Sequence, residues 1–207
     1  MELFEDPVET APDISGIFEL SADAYYAALY AQMSCKPIKK EIAAFIEKVS
    51  RAGNRDKADR AGKDRGDSNV LAVLKEAGKV THEIHRLTGM LRFSPESDGV
   101  YTARCAPDNF ILPALEEHFT LRFGETPWAI IDEKRGLCLR KTSGSEAVLV
   151  PYVPRLTAAV AEKGKTDSWE DLWRLYHKSI NNEGRKNPRL QRQLMPERYQ
   201  KYLTELN

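Results

Sequence analysis

Around Gly89 the hydrophobic period of this 207-residue chain changes. Upstream, Val70, Val73, Leu74, Val80, Ile84 and Leu87 keep the spacing of one helix face through VLAVLKEAGKVTHEIHRLTG, with Gly78 marking where that helix bends or ends. Downstream, MLRF and GVYTARCAP read as short strands, joined by SPESDG, whose Asp-Gly favours a tight turn. A stretch of helical period followed by strands predicts an α+β chain: a small antiparallel sheet with helices packed on one face, a helical N-terminal layer and a basic helical C-terminal tail.

The remaining segments fit that plan. Ser21 is placed to cap a helix through SADAYYAALYAQMS, and PIKKEIAAFIEKVS comes next with Pro37 in its first turn. Asp108 is expected to cap NFILPALEEHFTLRFG, which Gly124 ends. PWAIIDEKRGLCLRKTSGSEAVLVPYV then reads as two or three antiparallel strands turning at 133–136 and 143–145. From Asp167 or Ser168, the residues Trp169, Leu172, Trp173 and Tyr176 form an apolar stripe expected to be core. Pro188 and Pro196 divide the rest of the tail into two short helices.

An apolar fraction of 42% and a charged fraction of 30% belong to a folded globular chain, read as a single domain over 1–207. Its decorations are an acidic leader at 1–20, a charged mobile segment at 51–68 with almost nothing apolar to give a core, and the basic tail at 168–207. No apolar run approaches the roughly 18 residues of a membrane span, and MELFEDPVET lacks the basic, apolar start of a signal peptide, so the expectation is a cytoplasmic protein without membrane contact. Cys35, Cys105 and Cys138 lie too far apart for a zinc set or a disulfide framework and read as small core residues.

A net charge of zero conceals an asymmetry: Met1 to Asp23 holds seven acids and no Lys or Arg, whereas Arg174 to Lys201 holds eight Lys or Arg and two Glu. The basic end suits a polyanion. Arg185, Lys186, Arg189, Arg192 and Arg198 supply charge, Asn187, Gln191 and Gln193 supply amides able to bond base edges, and Tyr199 and Tyr202 can stack or pack. The competing reading is a strap that folds back, with its arginines on helix carbonyls and its tyrosines in the core.

No nucleophile elbow, phosphate-binding glycine loop or HExxH motif is present, so no metal or cofactor is expected. Two places carry candidate acid-base groups. THEIHR sets His82, Glu83 and His85 on one helix, and APDNF places Asp108 and Asn109 between a strand and a helix. His118 and Arg122, four apart on the next helix, and Arg92 and Arg104 in the strand region make a phosphate-binding surface if they share a side, or structural ion pairs if they meet acids.

The tail SINNEGRKNPRLQRQLMPERYQKYLTE resembles the bacterial domain-of-unknown-function family 4130, described as probable DNA-metabolism proteins, through Ser179-Ile180, Glu183, Arg185, Asn187 to Gln191, Gln193, Met195-Pro196, Arg198-Tyr199 and Thr204-Glu205. EIHRLTGMLRF, YTARCAPDNFILPALEEHFTLRF and WAIIDEKRG are similar to its central motifs, while Gln200 replaces its usual Trp. The resemblance spans about Val80 to Glu205 and implies work on DNA beside a radical-SAM repair protein or a uracil-DNA-glycosylase-like protein.

Two functions stand as expectations. The first is a glycosylase-like hydrolase that removes a damaged or modified base, with Glu83, His85, Asp108 and Asn109 as catalytic candidates. Arg92, His118, Arg122, Arg185, Lys186, Asn187, Arg189, Gln191, Arg192 and Arg198 would hold its DNA. The second is a non-catalytic DNA-binding accessory to such a partner. Solvent-facing arginines at 185, 189 and 192 favour binding; arginines spent on internal carbonyls favour the strap.

Overall fold

The computed structural model describes residues 11–96, 98–153 and 168–206. The first half of the acidic leader and the proposed cap at Asp167 lie outside the described residues. The sequence reads as one domain; by compactness the chain gathers into two units, the first containing residues up to Ile84 together with Asp108–Ile111, the second containing His85–Pro107 and the chain from Leu112 onward.

The first unit is helical. Its elements are α1 (Ala22–Gln32), α2 (Lys39–Ser50), α3 (Arg55–Gly62) and the first part of α4 (Ser68–Met90). Ser21 caps α1 as expected, its hydroxyl accepting the Ala24 N–H at 3.1 Å. Pro37 stands just before α2, whose N-cap is Ile38. Ile17, Ala24, Ala28, Ile42, Phe45, Val49, Val70, Val73 and Ala77 form one buried cluster. α4 continues unbroken through Gly78.

The charged segment at 51–68 departs from expectation. It holds α3, capped by Asn54, whose side chain accepts the Lys57 N–H at 3.0 Å, and Ala58 is fully buried. Small residues make this possible: a Cβ added at Gly62 would stand 3.1 Å from the Ala24 Cβ, so α1 and α3 approach on glycine and alanine rather than on large apolar groups. The charges face outward, with Lys48 Nζ bonding Asp64 at 2.7 Å and Asp67 at 2.9 Å, and Lys63 bonding Asp23 at 2.7 Å. A count of apolar residues misses a core built from small ones.

The second unit carries five strands in the order β1 to β5: β1 (Ser94–Pro95), β2 (Tyr101–Cys105), β3 (Trp128–Asp132), β4 (Leu137–Lys141) and β5 (Val148–Pro151). The β1–β2 hairpin turns at Asp98-Gly99, with Gly99 at φ 81°, a conformation open to glycine. β3–β4 and β4–β5 are antiparallel, but β2 and β3 are parallel, in register from Tyr101 opposite Trp128 to Cys105 opposite Asp132. The sheet is mostly antiparallel, as expected from sequence, and this is its one parallel pair among the described residues. A helix separates the two strands, and a helical crossover returns the chain in the same direction.

That helix is α5 (Leu112–Phe123). It begins four residues beyond Asp108, which therefore is not its cap. Leu112, Leu115 and Phe119 are buried, and the Phe119 ring lies 6.2 Å from Trp128. One face of β3 thus meets α5 through Trp128 and Ile130, while Ala129, Ile131 and Cys138 pack with Val100, Val150 and Tyr152 on the other. The Lys141 ammonium closes the end of α5 by donating to the Gly124 carbonyl at 2.8 Å.

The C-terminal part of the unit contains α6 (Ser168–Ile180), α7 (Pro188–Leu194) and α8 (Glu197–Gln200). The prolines divide α7 from α8 as the sequence predicts. The apolar stripe of α6 does not form core among the described side chains: Leu172 is 54% exposed and Tyr176 51%. Tyr199 and Leu203 are buried instead, so the tail is anchored downstream of α7.

Candidate nucleic-acid interface

Glu83 sits on α4 and is 3% exposed. The Asp108 N–H donates to its Oε1 at 2.8 Å, and the Asn109 N–H and Nδ2 donate to its Oε2 at 2.9 and 2.8 Å. Asn109 completes the arrangement by accepting the Cys35 N–H on its Oδ1 at 3.0 Å, and the Phe110 N–H reaches the Met33 carbonyl at 2.9 Å. Three of the four catalytic candidates therefore meet, but as a hydrogen-bonded clasp that holds the 108–111 loop inside the first unit. The carboxylate receives three protein donors, which is what a buried polar group needs to be stable there. His82 and His85 are exposed.

Arg92 is equally committed. Its Nη2 and Nε donate to Glu205 at 2.6 and 3.3 Å, and its Nη1 donates to the Gly89 and Leu91 carbonyls at 2.9 and 3.4 Å. The Trp173 indole N–H joins Glu205 at 3.1 Å, and the Arg92 guanidinium lies 5.7 Å over the indole ring. Burial pushes the Glu205 carboxyl up, but hydrogen bonds from Arg92, the backbone and Trp173, with the Arg92 charge, outweigh it and hold the group below the ordinary glutamate value.

A second tether joins the tail to the sheet unit. The Tyr202 hydroxyl donates to Glu133 at 2.6 Å, and Arg104 and Lys201 each approach Glu133 at 3.6 Å. Tyr202 is raised above the usual phenol value by burial and by its bond to Glu133, which is itself lowered, first by that bond. Arg104 is thus an ion-pair residue, with its guanidinium over Tyr152.

The basic groups of α7 and of the short turn before it, Glu183–Arg185, behave differently. Arg185, Arg189 and Arg192 are all exposed, and none forms an ion pair among the described residues. Arg189 and Arg192, three apart, share a face of α7. Among the described residues only Arg192 of the three touches a carbonyl, that of Pro188 in its own helix, at 3.3 Å. Asn187 spends its Oδ1 capping α7, accepting the Leu190 N–H at 3.0 Å, which leaves its amide donors outward. Lys186 and Gln191 are exposed, and Arg198 lies 4.7 Å over the Tyr199 ring. On α5, His118 and Arg122 are exposed, and Arg122 has no hydrogen bond or ion pair among the described residues.

Sequence reasoning missed Glu205, the shared partner of Arg92 and Trp173. Its distance in the chain hid it, and the closing Thr-Glu of the family resemblance was its only trace. Among the described residues no group of three or more His, Cys, Asp or Glu is placed to hold a metal ion, and no helix is long and apolar enough to cross a membrane.

These features define an α+β protein in which buried Glu83 and Asn109 are satisfied by internal partners and the arginines of α7 face solvent. The model of a domain-of-unknown-function family, DUF4130, matches residues 39–205, and the chain belongs to that family. No curated protein and no solved structure matches it significantly.

Proposed function

We propose that this protein binds DNA through α7 as an accessory in DNA metabolism, presenting a strand to a partner that performs the chemistry. The observation that carries the reading is the solvent-facing set Arg185, Arg189 and Arg192, unspent on carboxylates among the described residues, on a segment anchored by buried Tyr199 and Leu203. Arginines held on an anchored helix neutralise phosphates and release counterions without first leaving internal partners. A radical-SAM protein or a uracil-DNA-glycosylase-like protein, implied by the family resemblance, is the partner proposed.

The excision reading draws no support from Glu83, whose two oxygens accept the donors of the 108–111 loop. It predicts abasic sites made by the protein alone. Anisotropy titration of a labelled oligonucleotide across salt tests the binding reading. A steep fall of affinity with salt is expected, and salt-independent or absent binding overturns it.

A further inference from the structure

The second unit contains an open cavity of about 520 Å³ that neither the clasp nor α7 explains. Arg92, just beyond α4, lines it together with Phe93, Tyr101, Arg122, Phe123 and Trp173. Its volume lies within the range of small-molecule sites, roughly 300–1,000 Å³. Its lining pairs aromatic rings with Arg122, which has no ion pair among the described residues.

The rings are held before any ligand arrives. Phe93 packs 5.0 Å from buried Phe119 and 4.8 Å from Phe123, and Phe123 lies 5.7 Å from Tyr101. Trp173 is oriented by its N–H bond to Glu205 and by Arg92 over the ring, yet remains 40% exposed, and Tyr101 is 36% exposed. Large apolar rings left open to solvent, while their edges are fixed, offer stacking area at little cost in ordering.

The two arginines have different standing. Arg92 is neutralised by Glu205 at 2.6 Å, so its charge serves the fold. Arg122 has neither a carboxylate nor a helix carbonyl among the described residues, the two partners that ordinarily hold an exposed arginine at the end of a helix. It therefore supplies the cavity's free positive charge.

We infer that this cavity is a nucleotide site, in which a base stacks on the Phe93, Tyr101, Phe123 and Trp173 rings while its phosphate is held by Arg122. Stacking accepts any base, because every base has a π face, so the site favours unpaired nucleotides without a fixed sequence. The assignment rests on the DNA-binding reading only for the polymer from which the nucleotide comes: α7 grips the backbone, and the cavity takes one unstacked residue.

The test titrates deoxyadenosine monophosphate and thymidine monophosphate, too short to need α7, into the full chain, followed by tryptophan fluorescence and calorimetry. Saturable binding is expected, weakened about tenfold or more in Arg122→Ala, as for loss of a charge-assisted contact, and largely kept in Arg122→Lys. Deoxyadenosine, lacking the phosphate, should bind the unaltered protein about as weakly as the monophosphate binds Arg122→Ala. Absence of saturable binding, or equal affinity in Arg122→Ala, overturns the site. If a single-stranded oligonucleotide still binds in a salt-dependent way in that event, the α7 reading stands alone. Monophosphate binding without oligonucleotide binding supports the cavity and sinks the α7 reading.

Discussion

The loop at 108–111 and the helix α7 both look functional in sequence for the same reason, polar groups beside a helix start, yet they are opposite in use. At the loop, Glu83 and Asn109 are 3% and 7% exposed and face one another's donors and acceptors. On α7, the arginines face water. Buried polar groups must be satisfied internally or they destabilise the fold, so burial turns acid-base candidates into clasps. Exposure leaves charge free for a polyanion.

The largest effect that sharpens this contrast is expected from Glu83→Ala. It strips three donors of their acceptor and should lower unfolding free energy by about 3 kcal/mol or more, read by denaturant melts. Oligonucleotide affinity of the folded protein should stay unchanged; a selective loss of DNA binding with normal stability would break the comparison.

Arg92→Ala comes next, at about 2 kcal/mol, because Glu205 keeps only 6% side-chain exposure and loses its main partner. Thermal melts would show it, and its effect should fall on stability rather than on the salt dependence of DNA binding.

On the other side of the contrast, Arg189→Ala with Arg192→Ala should leave the melt in place while weakening DNA about tenfold. The slope of log affinity against log salt should shrink by about two. An unchanged slope would show that α7 does not meet phosphates.

Tyr202→Phe removes one bond to a carboxylate and should cost about 1 kcal/mol, loosening the tail without touching α7's charges. Limited proteolysis near residue 200 would report it.

Acid should act on the same tether. Glu205 has a folded value below its unfolded one, so its stabilising contribution is complete above the ordinary glutamate value of about 4.3 and is lost as pH falls through the lower folded value. Hydrogen exchange at Leu203 and Leu206 should accelerate in that acidic window, and Glu205→Gln should flatten the response.

Much of the local structure was legible because it depends on near neighbours. Ser21 capping α1, Asp98-Gly99 in the hairpin, Gly124 ending α5 and Pro188 opening α7 each act over a few residues. Contacts across long separations were not legible in the same way. Arg92 finds Glu205 113 residues away, and Asn109 finds Cys35 74 away. Nothing in local periodicity announces such pairs.

The sequence by itself determined the switch from helices to strands, the family, and a basic C-terminal segment, because hydrophobic period, turn chemistry and charge are carried by adjacent residues. Only the tertiary structure decided which polar residues are spent. It buried Glu83 among donors, gave Arg92 to Glu205, made β2 and β3 parallel through α5, and drew Ala58 into a core. It left Arg122, Arg189 and Arg192 facing solvent. The same side chain is scaffold when desolvated beside a partner and ligand-binding when hydrated and unpaired, and that difference is set by packing between residues distant in the chain.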